Sequence, residues 1–266
     1  LGWPEREICM RVQVPPTTSV PALAGSRWRR ICGRGRRPIV IGGCARSGTT
    51  LLLSILSGHP RIAAIPVETQ TLCPTAYWGD FNPLAELQID HLARHLSTLD
   101  IPDDCRYWCE KTPRNVHFFG PILERLGTTA RLIHVVRDGR DVVCSRHPDA
   151  PTRFWVSPGR WVKDTTAGIS FLRHPQVLTV RYEDLVTCFA LTVEEICGFL
   201  DLETTPEVLS YPEHATIRTS NAWRGPARAP TPVGVGKWRS ASMASRVDQL
   251  LAYPGASEVL RQFQYL

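Results

Sequence analysis

From residue 38 onward, short runs of apolar residues alternate with segments in which apolar side chains recur every three to four positions. The short β-branched runs, bounded by turn residues, predict buried strands, and the longer periodic segments predict helices. Strands are expected at 38–43, 61–66, 105–113, 130–137 and 176–186, the third and the last continuing into a loop or turn. Helices are expected at 47–57, 82–99, 113–127, 138–147, 159–174, 192–202, 242–255 and 256–266, with an interruption at Pro121 in the third.

This alternation predicts the fold class and the domain organisation. Strands that alternate with helices pair in parallel, so an α/β protein is expected, with a central parallel sheet flanked by helices. No internal repeat occurs, which favours one domain over residues 38–266. The Pro- and Arg-rich residues 1–37 are expected to be a poorly ordered tail, and the polar residues 204–236 a lid or substrate loop.

Composition places the chain among globular proteins. Of its 266 residues, 43% are hydrophobic and 21% charged, and no apolar run approaches the ~20 residues of a membrane helix. The net charge of +6 resides in residues 1–40, which contain eight Arg and two Glu, so the remainder is neutral. The basic run 27–37 fits a solvated arm better than a nucleic-acid or membrane site, because aromatic residues are not interleaved beyond Trp28.

The cysteines argue against a metal centre. There are nine, an odd number at irregular spacing, and no two form a C-x-x-C pair. Such thiols favour a reducing compartment, so a cytoplasmic protein is expected, with the Golgi lumen as the alternative if an upstream anchor has been removed. The first residues lack the order of charged and apolar positions that marks a secretory signal.

The stretch "IVIGGCARSGTTLLLSILSGHP" (39–60) has the order strand, glycine-rich turn, helix. Backbone N–H groups of such a turn point inward and the helix N-terminus adds partial positive charge, so the stretch predicts an anion site in a P-loop-like three-layer sandwich. Its glycine spacing matches G-x-x-x-x-G, but Thr49 stands where a nucleoside triphosphatase carries lysine. A triphosphate with Mg²⁺ would be poorly bound, whereas a smaller anion could be held by Arg46 and the Thr49 and Thr50 hydroxyls.

A second anion site is predicted in "VVRDGRDVVCSR" (135–146). Arg137 leaves the end of the clearest central strand, where open α/β sheets bind ligands. Ser145 follows about two helical turns later, so both side chains could reach one phosphate. Considered by itself, this segment is equally consistent with surface Arg–Asp pairs on a helix.

Together these segments resemble the sulfotransferases that use 3′-phosphoadenosine 5′-phosphosulfate (PAPS). "CARSGTTLL" is similar to the family's 5′-phosphosulfate loop, and "VVRDGRDVVCSR" to its 3′-phosphate segment. "ETQT" (68–71) and "EKTP" (110–113) resemble the acidic and lysine-bearing segments of tyrosylprotein sulfotransferases and their bacterial relatives. "VRYEDLV" (180–186) and "GKWR" (236–239) also have counterparts there. Six segments in the expected order, over roughly residues 38–240, are more specific than any one motif.

The sequence departs from the family pattern in two places. Ala45 stands where many relatives have proline, and Cys44 is unusual inside the loop, yet neither change removes a backbone N–H. After Ser145 the chain reads "RHPDA", without the further arginine that tyrosylprotein sulfotransferases carry. The second departure puts in doubt the full set of 3′-phosphate contacts and specificity for peptide tyrosine.

The resemblance implies transfer of a sulfuryl group from PAPS to an acceptor hydroxyl, which leaves adenosine 3′,5′-bisphosphate (PAP). Glu68 would take the acceptor proton, and Lys111 and Arg46 would stabilise the leaving phosphate. Ser220 would add a donor. No metal is implied. The residues expected to bind the nucleotide are Arg46, Ser47, Gly48, Thr49, Thr50, Arg137, Ser145, Tyr182, Lys237 and Trp238.

Several alternatives stay open at this stage. His59 and His117 are rival bases, although His59 fits the Gly58-His59-Pro60 turn that ends a helix. An atypical P-loop kinase or nucleotide hydrolase is the alternative enzyme class, and a nucleic-acid module built on the basic arm is the non-enzymatic one. The acceptor could be a glycan or glycolipid, a small alcohol or phenol, or a peptide tyrosine.

Overall fold

The computed structural model describes residues 35–74, 85–147, 149–219 and 227–266, so Ser220 and most of the expected tail lie outside the described residues. The strands are β1 (Arg37–Gly43), β2 (Ile62–Ala64), β3 (Tyr107–Lys111), β4 (Arg131–Val136), β5 (Arg146–His147), β6 (Ala150–Phe154) and β7 (Val177–Arg181). The α-helices are α1 (Thr49–Leu56), α2 (Ile89–Ser97), α3 (Phe119–Leu126), α4 (Gly139–Val143), α5 (Pro158–Ile169), α6 (Tyr182–Thr187), α7 (Phe189–Phe199), α8 (Pro206–Leu209), α9 (Tyr211–His214), α10 (Ala244–Leu251) and α11 (Ala256–Gln262). Short 3-10 helices span Pro113–Phe118, Pro232–Gly234, Lys237–Arg239 and Ala241–Met243.

A parallel sheet of five strands in the order β2-β3-β1-β4-β7 forms the centre of the described part of the protein. The central strand β1 pairs Ile41 with Lys111 of β3, and Gly43 with Val135 of β4. The next pair places Val136 opposite Arg181 of β7. The sequence-based prediction of a central parallel sheet flanked by helices is therefore confirmed. All of these strands run in the same direction, so their carboxyl ends meet at one edge of the sheet.

Alternation along β1 explains the layers on either side of the sheet. Ile39 and Ile41 are fully buried and pack in one cluster with apolar residues of α1 and α7. Val40, between them, belongs to a second cluster with residues of α2 and α3. Successive side chains of a strand point to opposite faces, so each face of the sheet buries its own helical layer.

A third apolar cluster lies near the carboxyl edge of the sheet. It combines Trp161 of α5 with residues of α4, α10 and α11, and it includes Cys44 and Ala45 of the glycine-rich turn. The glycine-rich turn thus packs through Cys44 and Ala45 against this hydrophobic cluster. Among the helices in the described ranges, none is long and apolar enough to cross a bilayer.

Three helix predictions differ from the structure for local reasons. The helix expected at 138–147 ends after Val143, and Arg146 pairs instead with Phe154 in the antiparallel hairpin of β5 and β6. The segment expected at 113–127 changes from 3-10 to α-helix at Phe119, so Pro121 lies in the first helical turn, where its missing N–H costs nothing. Helix α2 begins at Ile89 and not near residue 82.

Candidate active site

The functional side chains predicted from sequence lie where neighbouring strands of the sheet end. Lys111 is the last residue of β3, the glycine-rich turn follows β1, Arg137 follows β4, and Tyr182 follows β7. Adjacent strands are about 4.8 Å apart, so these groups form a row along one edge. The row has Lys111 on one side of the turn, and Arg137 and Tyr182 on the other.

The turn between β1 and α1 has the backbone conformation of an anion cradle. Arg46 and Gly48 have φ angles of 69° and 97°, in the left-handed region, and the Ser47 N–H donates to the Cys44 carbonyl at 3.2 Å. Gly48 is the N-cap of α1 and has no side chain that could cap the helix. The first turn of α1 contains no acidic residue. The first N–H groups of the helix are consequently available to an anion.

Glycine at position 48 is required by the neighbouring ring. A Cβ atom there would lie 2.5 Å from Cδ2 of Tyr182, which packs directly over the turn. A side chain would also have to adopt a φ angle that favours glycine. The Tyr182 ring therefore forms one wall of the cradle, and Gly48 lets the backbone approach it.

Arg137 joins three parts of the site. Its Nη1 donates to the carbonyl of Arg46 at 3.0 Å, and its Nη2 donates to the carbonyl of Gly234 at 2.5 Å. Its guanidinium carbon lies 4.1 Å from the centre of the Tyr182 ring, a cation–π contact. Burial, together with the positive charge of Arg137, lowers the pKa of Arg46. Two arginines held this close favour an anion between or beside them.

A pocket of about 370 Å³ opens between these groups. Among the described residues, its lining contains three arginines and no carboxylate, which makes the pocket basic. The lining residues are Arg46, Gly48, Thr49, Thr50, Leu51, Arg137, Tyr182, Val186, Tyr211, Ala227, Arg228, Ala229, Pro230 and Thr231. Residues 204–236 were expected to form a lid or substrate loop, and Tyr211 and residues 227–231 of that segment do line the pocket. Their individual contributions, and that of Val186 in the 180–186 motif, were not predicted. Tyr211 donates its hydroxyl hydrogen to the Arg228 carbonyl, and burial raises the pKa of Tyr211 to about 12.

Glu68 and Lys111 form a direct ion pair on the other side of the turn. Lys111 Nζ donates to Glu68 Oε1. The Lys111 side chain is 5% exposed and that of Glu68 is 30% exposed, so the lysine is enclosed while the carboxylate can still be reached from solvent. The neighbouring Glu110 is completely buried and accepts hydrogen bonds from Thr69, Thr112 and Asn115. Sequence reasoning assigned Glu110 no role.

Asp141 holds the segment that contains Lys237 and Trp238. Its carboxylate accepts hydrogen bonds from the Gly236 N–H at 2.7 Å and the Trp238 N–H at 3.0 Å. The Trp238 ring lies under the guanidinium of Arg140, 4.0 Å from its carbon, and Lys237 is exposed. Together with the bond from Arg137 to Gly234, these contacts join residues 234–238 to the start of α4.

The remaining candidates occupy separate places. Ser145 donates its hydroxyl hydrogen to the Asp141 carbonyl at 3.0 Å and does not line the pocket with Arg137. Both nitrogens of His59 are engaged, since Nδ1 accepts from the Arg61 N–H and Nε2 lies 3.0 Å from the Glu203 carbonyl. His59 therefore completes a turn. His117 pairs with Asp164 at 2.7 Å.

Comparison with solved structures identifies the fold. The sulfotransferase domain of the Synechococcus PCC 7002 olefin synthase is 18% identical, covers 87% of this chain and 96% of its own, and has a TM-score of 0.54. The sulfotransferase domain of the curacin biosynthetic pathway is 19% identical over 87% of this chain and 98% of its own, with a TM-score of 0.54. Mouse sulfotransferase SULT7A1, solved with PAP, is 15% identical over 86% and 88%, with a TM-score of 0.52.

Family comparison addresses the sequence directly. No curated protein matches the chain. The family model described as "Sulfotransferase family" matches residues 38–206, which is more than half of the chain and includes the glycine-rich turn, Glu68, Lys111 and Arg137. With the P-loop-like sheet, the cradle and the basic pocket, this match shows that the chain belongs to the sulfotransferase family and is a sulfotransferase enzyme.

Proposed function

We propose that this sulfotransferase moves a sulfuryl group from PAPS to an acceptor hydroxyl. The observation that carries the proposal is the basic pocket, in which the N-terminus of α1, Arg46 and Arg137 meet and to which none of the described residues contributes a carboxylate. A nucleotide with one 5′-phosphate, its sulfate and a 3′-phosphate suits two separate arginines better than a triphosphate that needs lysine and Mg²⁺. The fold-related mouse enzyme was solved with PAP, which supports the same cofactor here.

The residues of the cradle fit the 5′ end of this nucleotide. Ser47 Oγ is buried and has no hydrogen-bond partner among the described residues, so it is free to serve an anion. Thr49 and Thr50 place hydroxyls in the first turn of α1, beside the helix N–H groups. In this proposal, Arg46, Ser47, Gly48, Thr49 and Thr50 hold the 5′-phosphosulfate.

The part of the pocket beside Arg137 and Tyr182 would hold the adenosine and its 3′-phosphate. Arg137 supplies the charge and the Tyr182 ring an apolar face for the base. Ser145, Lys237 and Trp238 belong to the same proposed set, and they are connected to Arg137 through α4 and the 234–238 segment. Arg137 thus carries most of the argument for this end.

Bound PAPS would supply the sulfuryl group, whose sulfur forms a bond to the acceptor oxygen as its bond to the phosphate oxygen breaks. Glu68 is proposed to take the proton that the acceptor hydroxyl loses, and its partial exposure leaves room for that hydroxyl. Lys111 and Arg46 are proposed to stabilise the negative charge that develops on the released phosphate oxygen. Ser220, outside the described residues, would add a donor.

The ion pair of Glu68 and Lys111 sets the geometry for both roles. The Lys111 side chain is only 5% exposed, so few alternative rotamers are open to it and its ammonium stays paired with Glu68. Groups held in place before the reaction need no reorganisation when charge develops. The acceptor itself is proposed only as a hydroxyl compound: a glycan or glycolipid, a small alcohol or phenol, or a peptide tyrosine.

A calorimetric titration with PAP, without metal, tests the cofactor. We expect binding to the wild type, and a loss of about 10- to 100-fold in affinity for Arg137→Ala, because charged hydrogen bonds contribute roughly 1.5–3 kcal/mol. Arg153→Ala, on the exposed hairpin, is the matched control and should bind as the wild type does. Clear binding of ATP with Mg²⁺ and none of PAP would contradict the proposal and favour a kinase or hydrolase.

Transfer itself is measured with ³⁵S-labelled PAPS and a panel of phenols, alcohols, glycans and tyrosine peptides. We expect label on at least one hydroxyl compound, and labelling slower by about 10²–10⁴-fold when Glu68 is replaced by Gln. Label on amines alone would refute the hydroxyl assignment while leaving the cofactor intact.

A further inference from the structure

Glu110 is a buried carboxylate that touches neither the pocket nor Lys111 through its own side chain. It precedes Lys111 in β3, so the two side chains leave the strand on opposite faces. Glu110 is 0% exposed, a position that a carboxylate occupies only when its oxygens are hydrogen-bonded. Its partners therefore indicate what it does.

The partners of Glu110 come from segments on both sides of it. Oε1 accepts three hydrogen bonds: from the Thr69 N–H at 3.2 Å, the Thr69 hydroxyl at 2.9 Å and the Thr112 hydroxyl at 2.7 Å. Oε2 accepts from Asn115 Nδ2 at 2.6 Å. Burial raises the pKa of Glu110, and these hydrogen bonds oppose the rise. All four of these groups donate to the carboxylate, which favours its ionised form against the effect of burial.

The same network reaches the two residues after Thr69. The Gln70 N–H donates to Thr112 Oγ1 at 3.3 Å, and the Thr71 N–H donates to Thr69 Oγ1 at 3.3 Å. Three consecutive backbone N–H groups are thus directed to Glu110 or to a hydroxyl that donates to it. Gln70 has a φ angle of 55°, a left-handed conformation rare for residues with a side chain. This curl of three N–H groups, of which only that of Thr69 reaches the carboxylate itself, is called the 69–71 nest.

Past the end of β2, the 69–71 nest takes the place of ladder pairing with β3. Pairing of β2 with β3 ends at Ala64 and Cys109, and the last ladder-like bond is from the Ile65 N–H to the Cys109 carbonyl at 2.9 Å. Beyond that point, residues 68–71 follow β3 without ladder pairing and are held by Glu110 and Thr112. The position of Glu68 relative to Lys111 consequently depends on the side chains of Glu110 and Thr112 and not on strand pairing.

We propose that Glu110 is a positioning residue that holds Glu68 against Lys111, an inference that rests on the proposed function of that pair. On one face of β3, Glu110 accepts hydrogen bonds from the 69–71 segment. On the other face, Lys111 forms the ion pair with Glu68. Asn115 extends the arrangement to the central strand, since its Nδ2 also donates to the Ile41 carbonyl at 3.1 Å. The base and the lysine are in this way set relative to the strand that leads into the cradle.

The first test requires no activity. The chain contains three lysines, Lys111, Lys163 and Lys237, so protein labelled with [ε-¹³C]lysine gives three signals that Lys→Arg variants assign. Glu110→Gln places an amide N–H₂ against the N–H₂ of Asn115 and breaks the nest. We expect the Lys111 signal to move toward its position in Glu68→Gln, while the other two signals stay in place.

The second test is a double-mutant cycle on turnover. The assay measures the rate of PAP release from PAPS in the presence of 4-nitrophenol. This rate includes sulfuryl transfer to the phenol and to water. We expect Glu110→Gln to lower kcat by about tenfold or more in the wild type but by less than about twofold in the Glu68→Gln background, because the two residues act as one unit. PAP affinity should change by less than about threefold, since Arg137 and Tyr182 lie on the other side of the turn.

Control variants separate positioning from stability. Ile196→Ala, in the α7 layer, should lower the melting temperature without moving the Lys111 signal. If Glu110→Gln does not fold, Thr112→Val removes one donor to Glu110, and Thr112→Ser, which keeps the hydroxyl, should restore the wild-type signal. An unmoved Lys111 signal, or equal losses of kcat in both backgrounds, would overturn the proposal. A wild type without sulfuryl transfer would instead refute the proposed function and leave the lysine signals as the test of Glu110.

Discussion

His134 lies in the middle of β4, fully buried, and neither ring nitrogen has a hydrogen-bond partner among the described residues. The rings of Phe119 and Phe263 meet it edge-on, with centroids 6.4 Å and 6.1 Å away, and Gly168 of α5 leaves no room beyond its ring. Burial alone lowers the pKa of His134 to about 3. The imidazole is therefore neutral in the folded protein at pH values where it is protonated in the unfolded chain.

The sign and size of the resulting pH dependence follow from linkage. A histidine whose folded pKa is depressed contributes stability above its unfolded pKa of about 6.5, and that stability is lost as pH falls toward the folded value. With a folded pKa of about 3, His134 accounts for a loss of about 2–3 kcal/mol in the free energy of unfolding between pH 7.5 and 4.5. This is a large part of the 5–15 kcal/mol typical of a folded domain.

The perturbation is His134→Phe, with His134→Leu as a second variant if the larger ring is overpacked. Urea unfolding of wild type and variant at pH 7.5 and 4.5 gives four free energies, and the acid-induced loss should be smaller in the variant by about 2–3 kcal/mol. Other titrating groups occur in both proteins and cancel in this difference. His91→Gln removes an exposed histidine and is the matched control.

The reasoning would be refuted if His134→Phe and His134→Leu lost as much stability on acidification as the wild type. That result would mean that the His134 ring gains a proton in the folded state, through water or a movement of α5. A variant that is less stable than the wild type at both pH values would still agree with the prediction if its acid-induced loss is the smaller one. Packing and protonation of residue 134 contribute independently to the free energy of unfolding.

Three further predictions concern the site. Gly48→Ala, with its φ angle of 97° and the Tyr182 ring in contact, should weaken PAP binding in calorimetry by about tenfold or more, since the cradle must shift; unchanged affinity would argue against the turn as the anion site. Lys111→Met should lower kcat by about 10²–10³-fold with PAP affinity little changed, and a selective loss of affinity would instead place Lys111 on the nucleotide. Glu68→Gln should lower kcat by about 10²–10⁴-fold, whereas an unchanged kcat would point to another base.

Much of the fold could be predicted from the sequence because its signals are local. The five strands of the parallel sheet stand within a few residues of the apolar runs that predicted them, since burial on both faces requires such runs. The end of α4 was not predictable in this way. Residues after Val143 carry a helical pattern, but Arg146 pairs with Phe154 and lies with its guanidinium carbon 3.9 Å from the centre of that ring.

The candidate site divides in the same manner. The glycine-rich turn and Arg137 were recognisable because each follows its strand directly, so a short motif contains both the strand end and the functional group. Residues 204–236 were expected to contribute a lid or substrate loop, but the roles of Tyr211 and residues 227–231 as pocket walls were not predicted, because they follow the turn by about 160 residues or more in sequence. No periodicity records such a contact, which depends on where α9 and the following segment pack.

The sequence by itself determined the strand–turn–helix unit, the alternation that makes a parallel sheet, and the residue types of an anion site without the P-loop lysine. Only the tertiary structure decided that Lys111 and Arg137 lie on opposite sides of the turn, because strand order is set by how helical layers cover the sheet. The structure also decided that Glu68 meets Lys111 and that Glu110 organises residues 69–71. These contacts join positions more than 40 residues apart, and only the folded chain brings them within hydrogen-bond reach.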